Sequence, residues 1–106
     1  MNAPTIATVA HAGQKDKAGR PYIEHVARVA HACRRKRETC DAAWLHDVLE
    51  DSSVTADGLT ELGVSSTVVA AVVALTRIDA ESYADYITRV RAHGGIAVRV
   101  KLADLH

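Results

Sequence analysis

The stretch Trp44-Leu45-His46-Asp47-Val48-Leu49-Glu50-Asp51 sets an imidazole and three carboxylates within six consecutive positions of an otherwise apolar run. Ala42, Ala43, Trp44, Leu45, Val48 and Leu49 predict a largely buried helix, with Thr39 as its N-cap and Asp41 in its first turn. Burying that many ionisable groups without a counter-charge is expensive, and a divalent cation is the simplest neutraliser. On one continuous helix His46 and Glu50 share a face, and Asp47 lies three and four residues before Glu50 and Asp51. Read more plainly, Glu50 and Asp51 are only the polar end of a helix entering the turn Asp51-Ser52-Ser53, but that leaves His46 and Asp47 unexplained.

Working outward, helical signals recur on both sides. Pro4 opens a first helix carrying Ile6, Val9 and Ala10, which Gly13 stops. Residues 14–22 read as a polar loop, and a second helix runs from Glu24 with Val26, Val29, Ala30 and Cys33 on one face. After the motif, Thr55 caps a short helix closed by Gly63. Ser65 or Ser66 then starts a valine-rich one that could be a buried strand by propensity but has helical length and caps. Tyr83, Tyr86, Ile87 and Val90 mark a further helix, Gly94–Gly95 break it, and a last helix runs from Ile96 through Val98, Val100 and Leu102. The expectation is an all-α bundle of six to seven helices forming a single domain over residues 1–106, with a C-terminal end abbreviated close to Asp104.

The bulk numbers agree with a single core. The chain has 106 residues, 48% of them hydrophobic, with no Phe and one Trp, so Ala, Val, Leu and Ile must fill it. The formal net charge is zero, which removes any global attraction to nucleic acid or to an anionic membrane surface. Charge is nonetheless segregated. Residues 15–37 carry eight basic side chains against Asp16 and Glu24, whereas residues 38–66 carry seven acids and no Lys or Arg. Such neighbours could bracket a phosphorylated ligand and a cation, or could simply be solvated faces. Two cysteines, Cys33 and Cys40, read as reduced thiols, and the absence of a leader or apolar span makes a cytoplasmic protein the expectation.

Two further segments point to the same chemistry. Pro21-Tyr22-Ile23-Glu24-His25 places a histidine in a first helical turn, and Lys101-Leu102-Ala103-Asp104 places a carboxylate in an apolar run. With His46 and Asp47 they make a set of two His and two Asp. That set suits Mn²⁺ first, or Fe²⁺, Zn²⁺, Co²⁺ or Ni²⁺, with coordination positions left for water and a substrate oxygen.

The order His, then His-Asp, then Asp resembles that of the HD metal-dependent phosphohydrolase superfamily. More narrowly, the chain resembles the hydrolase domains of RelA/SpoT-type guanosine polyphosphate 3′-pyrophosphohydrolases and their small stand-alone relatives. The strings that carry the likeness are Ala10-His11-Ala12-Gly13-Gln14, Gly19-Arg20-Pro21-Tyr22-Ile23-Glu24-His25, Leu45-His46-Asp47-Val48-Leu49-Glu50-Asp51, Leu75-Thr76 and Val100-Lys101-Leu102-Ala103-Asp104. The resemblance implies an HD-type helical fold in which His25, His46, Asp47 and Asp104 are the metal ligands. It also implies that Glu50 and Asp51 orient or deprotonate the attacking water, with a nucleotide or nucleotide pyrophosphate such as guanosine 3′,5′-bis(diphosphate) as substrate. Lys15, Lys17 and Tyr83 are candidate substrate contacts.

Two positions depart from the family pattern. Asp16 stands where an Arg stacks on guanine, which a carboxylate cannot do, and Val26 stands where Pro is common. The first departure bears on the guanosine substrate and not on metal-dependent phosphoester hydrolysis. The alternative reading is an HD-fold nucleotide-binding or regulatory module with little or no turnover. Tyr83 and Tyr86 could line a nucleotide pocket, although aromatics at helical spacing more often belong to the core, where Trp44 is also expected. His11, His31, His93 and His106 are expected to be structural or exposed, with His11 nearest the site. Oligomeric state has no sequence signal.

Overall fold

A computed structural model describes residues 1–105, so that His106 lies outside the described residues. The chain folds as eight helical segments: α1 (Ala3–Ala10), α2 (Tyr22–Ala32), α3 (Arg37–Leu45), α4 (Val48–Asp51), α5 (Ala56–Glu61), α6 (Ser66–Leu75), α7 (Tyr83–His93) and α8 (Gly95–Asp104). Among the described residues the only β-type pairing is an isolated bridge between Lys15 and Pro21. The radius of gyration is 12.8 Å, close to the ~13 Å expected of one compact unit of about 100 residues. No helix is long and apolar enough to cross a membrane.

The helix starts follow capping chemistry. Asn2, Thr55, Ser65 and Ser82 each accept a hydrogen bond from an amide three residues on, opening α1, α5, α6 and α7. The valine-rich run is therefore helix, not strand. The last carbonyls of α6 are met by the Arg89 guanidinium, which donates to Ala74 O at 3.0 Å and Thr76 O at 2.8 Å while gripping Glu81. Gly94, at φ +70°, ends α7 and begins α8 in a conformation that a side chain would resist.

α3 is the central element, packed against α1, α2, α6 and α8. Ala42, Ala43, Leu45 and Val48 are wholly buried, and Val68, Ala71, Val72, Val90, Ala97 and Val100 close around them. Trp44 is partly buried against this core and Tyr86 is within it. Cys33 and Cys40 are free thiols.

Two expectations fail in the motif region. Thr39 is not the N-cap of α3. Lys36 holds that position in an extended conformation, and Thr39 is turned into the core side of the first turn, 4% exposed. Nor does one helix run from 39 to 51. The chain breaks at His46–Asp47, where Asp47 takes φ −105° and ψ 0°, and the single turn α4 follows. This bridge-region conformation lies between helix and turn and is common where side chains are aimed for chemistry.

Candidate metal centre

The break between α3 and α4 turns His46 and Asp47 toward α2 and α8. Nε2 of His46 lies 3.0 Å from Asp47 Oδ2 and 3.4 Å from Asp104 Oδ1, and Nε2 of His25 lies 2.8 Å from Asp104 Oδ1. Ligand atoms of His25, His46 and Asp47 fall within 4.8 Å of one another. Four side chains from three parts of the sequence thus meet: His25 from α2, His46 and Asp47 from the break, and Asp104 from the end of α8.

The residues present fit a divalent cation. Nδ1 of His46 donates to the Ala43 carbonyl at 2.6 Å, which leaves Nε2 as the nitrogen turned toward the carboxylates and able to ligate once deprotonated. That nitrogen is buried and makes no hydrogen bond, although two carboxylate oxygens are close, because neither is in line with it. A buried, unpartnered nitrogen beside two carboxylates is costly alone and is satisfied by a cation. Ligands bound at about 2.1 Å with right angles between them stand roughly 3.0 Å apart, near the separations observed here.

The electrostatics of the metal-free protein show the same strain. Burial opposes a charged His46, but Asp104 and Asp47 outweigh it and push its pKa up to about 10. Asp104 is held well below the usual carboxylate range, mainly by His46. Asp47 is also lowered, since His46 and the Tyr22 hydroxyl overcome the cost of its burial. These shifts have one cause in common, a centre that favours positive charge.

Glu50 and Asp51 border this centre in different ways. Glu50 Oε1 accepts from the backbone N–H of Arg77 at 2.6 Å, which ties the turn α4 to the loop after α6. Asp51 is exposed, with its pKa raised by burial of part of the carboxyl and by the neighbouring Asp47. A small cavity of about 70 Å³ is lined by His46, Asp47, Glu50, Arg77, Lys101 and Asp104. Beside it a wider, open concavity of about 590 Å³ runs along Glu50, Asp51, Thr76, Arg77 and Glu81. The first has room for a few water-sized groups and the second for a small organic ligand, in the range of roughly 300–1,000 Å³ typical of such pockets.

The structure also places groups that sequence reasoning passed over. The Tyr22 hydroxyl donates a short hydrogen bond to Asp47 Oδ2, orienting the carboxylate, and its pKa is driven up first by burial and then by that bond. His11 is 2% exposed and stacks obliquely 5.1 Å from Tyr22. The Gln14 amide donates to the carbonyls of Asp51 and Ala10, so its oxygen faces His11 Nδ1 at 2.8 Å and fixes that nitrogen as the donor. Arg77 and Lys101 are the cations that line the small cavity.

The candidate substrate contacts Lys15, Lys17 and Tyr83 line neither cavity, though Tyr83 lies against two cations that do. Lys15 and Lys17 are exposed on the loop before α2. Tyr83 is 50% exposed, stacked with Tyr86 at 6.0 Å and covered by Arg77 and Lys101. Asp16 knits its own loop, with Oδ1 accepting from the amides of Ala18 and Arg20 at 2.9 and 3.0 Å. His31 and His93 are exposed on their helices.

No family model matches the chain. It is 39% identical over 83 residues to a guanosine-3′,5′-bis(diphosphate) 3′-pyrophosphohydrolase of Vibrio cholerae, covering 76% of this chain and 12% of that protein. It is 40% identical over 60 residues to the bifunctional (p)ppGpp synthase/hydrolase SpoT of Escherichia coli K12 and to a pyrophosphohydrolase of Shigella flexneri, in each case over 54% of this chain and 8% of the relative. The chain therefore spans about a tenth of the length of the curated relatives it matches. Over most of its own length it is related to part of the guanosine polyphosphate 3′-pyrophosphohydrolases.

Proposed function

We propose that this chain is a metal-dependent phosphohydrolase of the HD type, acting on a nucleotide or nucleotide pyrophosphate, with guanosine 3′,5′-bis(diphosphate) as the first candidate substrate. The observation that carries this reading is the buried, unpartnered Nε2 of His46, ringed by His25, Asp47 and Asp104. The printed activity of the relatives supplies the substrate class. In this reading the four residues hold one Mn²⁺ or a related divalent ion, and the protein works in the cytoplasm.

When bound, the cation supplies Lewis acidity to a water and to the phosphoryl oxygens. Tyr22 keeps the Asp47 carboxylate in one orientation. Asp51, at the edge of the centre with its carboxyl pKa raised by partial burial and by Asp47, takes the proton from the attacking water. Glu50, fixed by one oxygen on Arg77 N, orients that water with the other. Arg77 and Lys101 offer positive charge to the phosphate at the mouth of the small cavity. Hydrolysis is direct, with the water oxygen bonding to phosphorus as the leaving oxygen departs.

The test is release of pyrophosphate or phosphate from guanosine 3′,5′-bis(diphosphate) and a panel of simple nucleotides, with Mn²⁺ and after chelation. Turnover that needs Mn²⁺ supports the reading. A metal-loaded protein that hydrolyses none of the panel would refute it.

A further inference from the structure

The basic run Arg34 to Arg37 takes no part in the metal centre, yet part of it borders a second concavity. Between the end of α2, the start of α3 and the last turns of α8 lies a cavity of about 240 Å³, lined among others by Cys33, Arg35, Lys36, Thr39, Arg99 and Leu102. None of its lining residues is acidic, and Arg35, Lys36 and Arg99 have no ion-pair partner among the described residues. Three free cations facing one hollow repel each other unless an anion joins them.

Two further features of the hollow call for an acceptor. α3 begins there with Lys36 extended and no side-chain cap on its first-turn amides, and the one carboxylate of that turn, Glu38, lines a different hollow. Thr39 is 4% exposed and lines the cavity, and its hydroxyl makes no hydrogen bond among the described residues. Thr8, Thr60, Thr76 and Thr88, by contrast, each donate to the carbonyl four residues before. A threonine with a largely buried side chain and an unpartnered hydroxyl at the cavity wall, an uncapped helix start and three unpaired cations are together the donor set of an oxyanion site.

We propose that this hollow binds the phosphate or diphosphate group of a small anionic ligand, at a site separate from the metal centre. Its volume is below the roughly 300 Å³ at which pockets for whole organic ligands begin, so it takes the phosphate head and leaves any attached group on the surface beside Leu102. The ligand is either free inorganic diphosphate or the phosphorylated end of a larger molecule.

The experiment is an NMR titration of the full chain in chelator, so that no cation can recruit phosphate to His25, His46 and Asp104. Inorganic pyrophosphate should produce saturable shifts in the amides of residues 36–39 and 99–103. The paired substitution Lys36→Gln and Arg99→Gln, both at exposed positions, should weaken binding roughly tenfold or more. Thr39→Val should weaken it less, and Thr39→Ser should restore it. Equal affinity for pyrophosphate and a nucleoside diphosphate assigns the free anion, and tighter binding of the nucleoside diphosphate assigns the phosphorylated molecule. Absence of saturable shifts, shifts centred on His25 and His46, or affinity unchanged in the paired variant would overturn the proposal. Because the cation is chelated throughout, the outcome is independent of the metal-dependent reaction.

Discussion

α6 and the α3–α4 segment both cross the middle of the molecule, and they handle burial in opposite ways. α6 is capped by Ser65, runs unbroken to Leu75, and buries Val68, Ala71, Val72, Ala74 and Leu75 without an ionisable group. The α3–α4 segment buries Leu45 and Val48 just as fully, yet it sets His46 and Asp47 between them and gives up helical regularity at that pair. The difference shows which parts of the core act as frame and which carry chemistry. Apolar burial anchors the backbone on both sides of the break, and the break itself aims the His46 and Asp47 side chains at His25 and Asp104.

This division separates substitutions that stop chemistry from those that loosen the frame. The largest effect is expected from Asp51→Asn, which should lower hydrolysis by about 10²–10⁴-fold, the usual worth of a general base, with metal content and thermal midpoint unchanged. A parallel fall in stability would mean that Asp51 is part of the frame. Leu45→Ala should cost about 2–5 kcal/mol in urea unfolding, because a wholly buried side chain leaves a cavity in the central helix. Tyr22→Phe should loosen metal binding by roughly 10–100-fold in a competitive chelator titration while leaving the fold intact, as expected for a group that orients a ligand. Ser65→Ala should cost about 1 kcal/mol through the lost cap of α6, without touching metal affinity.

The smallest expected effect is a pH dependence at the far end of α6. Arg89 lowers the pKa of Glu81 below its ordinary 4.5, so the folded protein binds this proton more weakly than the unfolded chain does. The stability contributed is present above about 4.5 and is lost as pH falls through the folded value. Urea midpoints on acidification should therefore fall further for the native protein than for Glu81→Gln. Equal slopes would show that the pair contributes nothing.

Much of the frame was legible in the sequence because it rests on local rules. Ser65, Thr55 and Gly94 mark helix boundaries through chemistry confined to a few residues, and the apolar spacing of 66–75 and 83–93 names the buried faces. The cluster of His25, His46, Asp47 and Asp104 was legible for another reason: His and Asp in an apolar run have few inexpensive explanations. The helix break at Asp47 was not legible, since nothing in the residues 44–51 is a helix breaker and the break depends on tertiary aim toward α2 and α8. Thr39 misled for a similar reason, because a good N-cap residue was placed by burial and not by capping. Tyr22 and Arg77 were not legible because their positions depend on contacts across 25 or more residues, as in the Tyr22–Asp47 and Glu50–Arg77 hydrogen bonds.

The most direct test of the central claim is the Mn²⁺ content of the native chain and of Asp47→Ala, measured by elemental analysis after exchange into metal-free buffer. The account predicts stoichiometric Mn²⁺ in the native chain and a background level in the variant, with helical content the same in both. Equal loading of the two proteins, or no retained metal in the native chain under Mn²⁺ saturation, would contradict it.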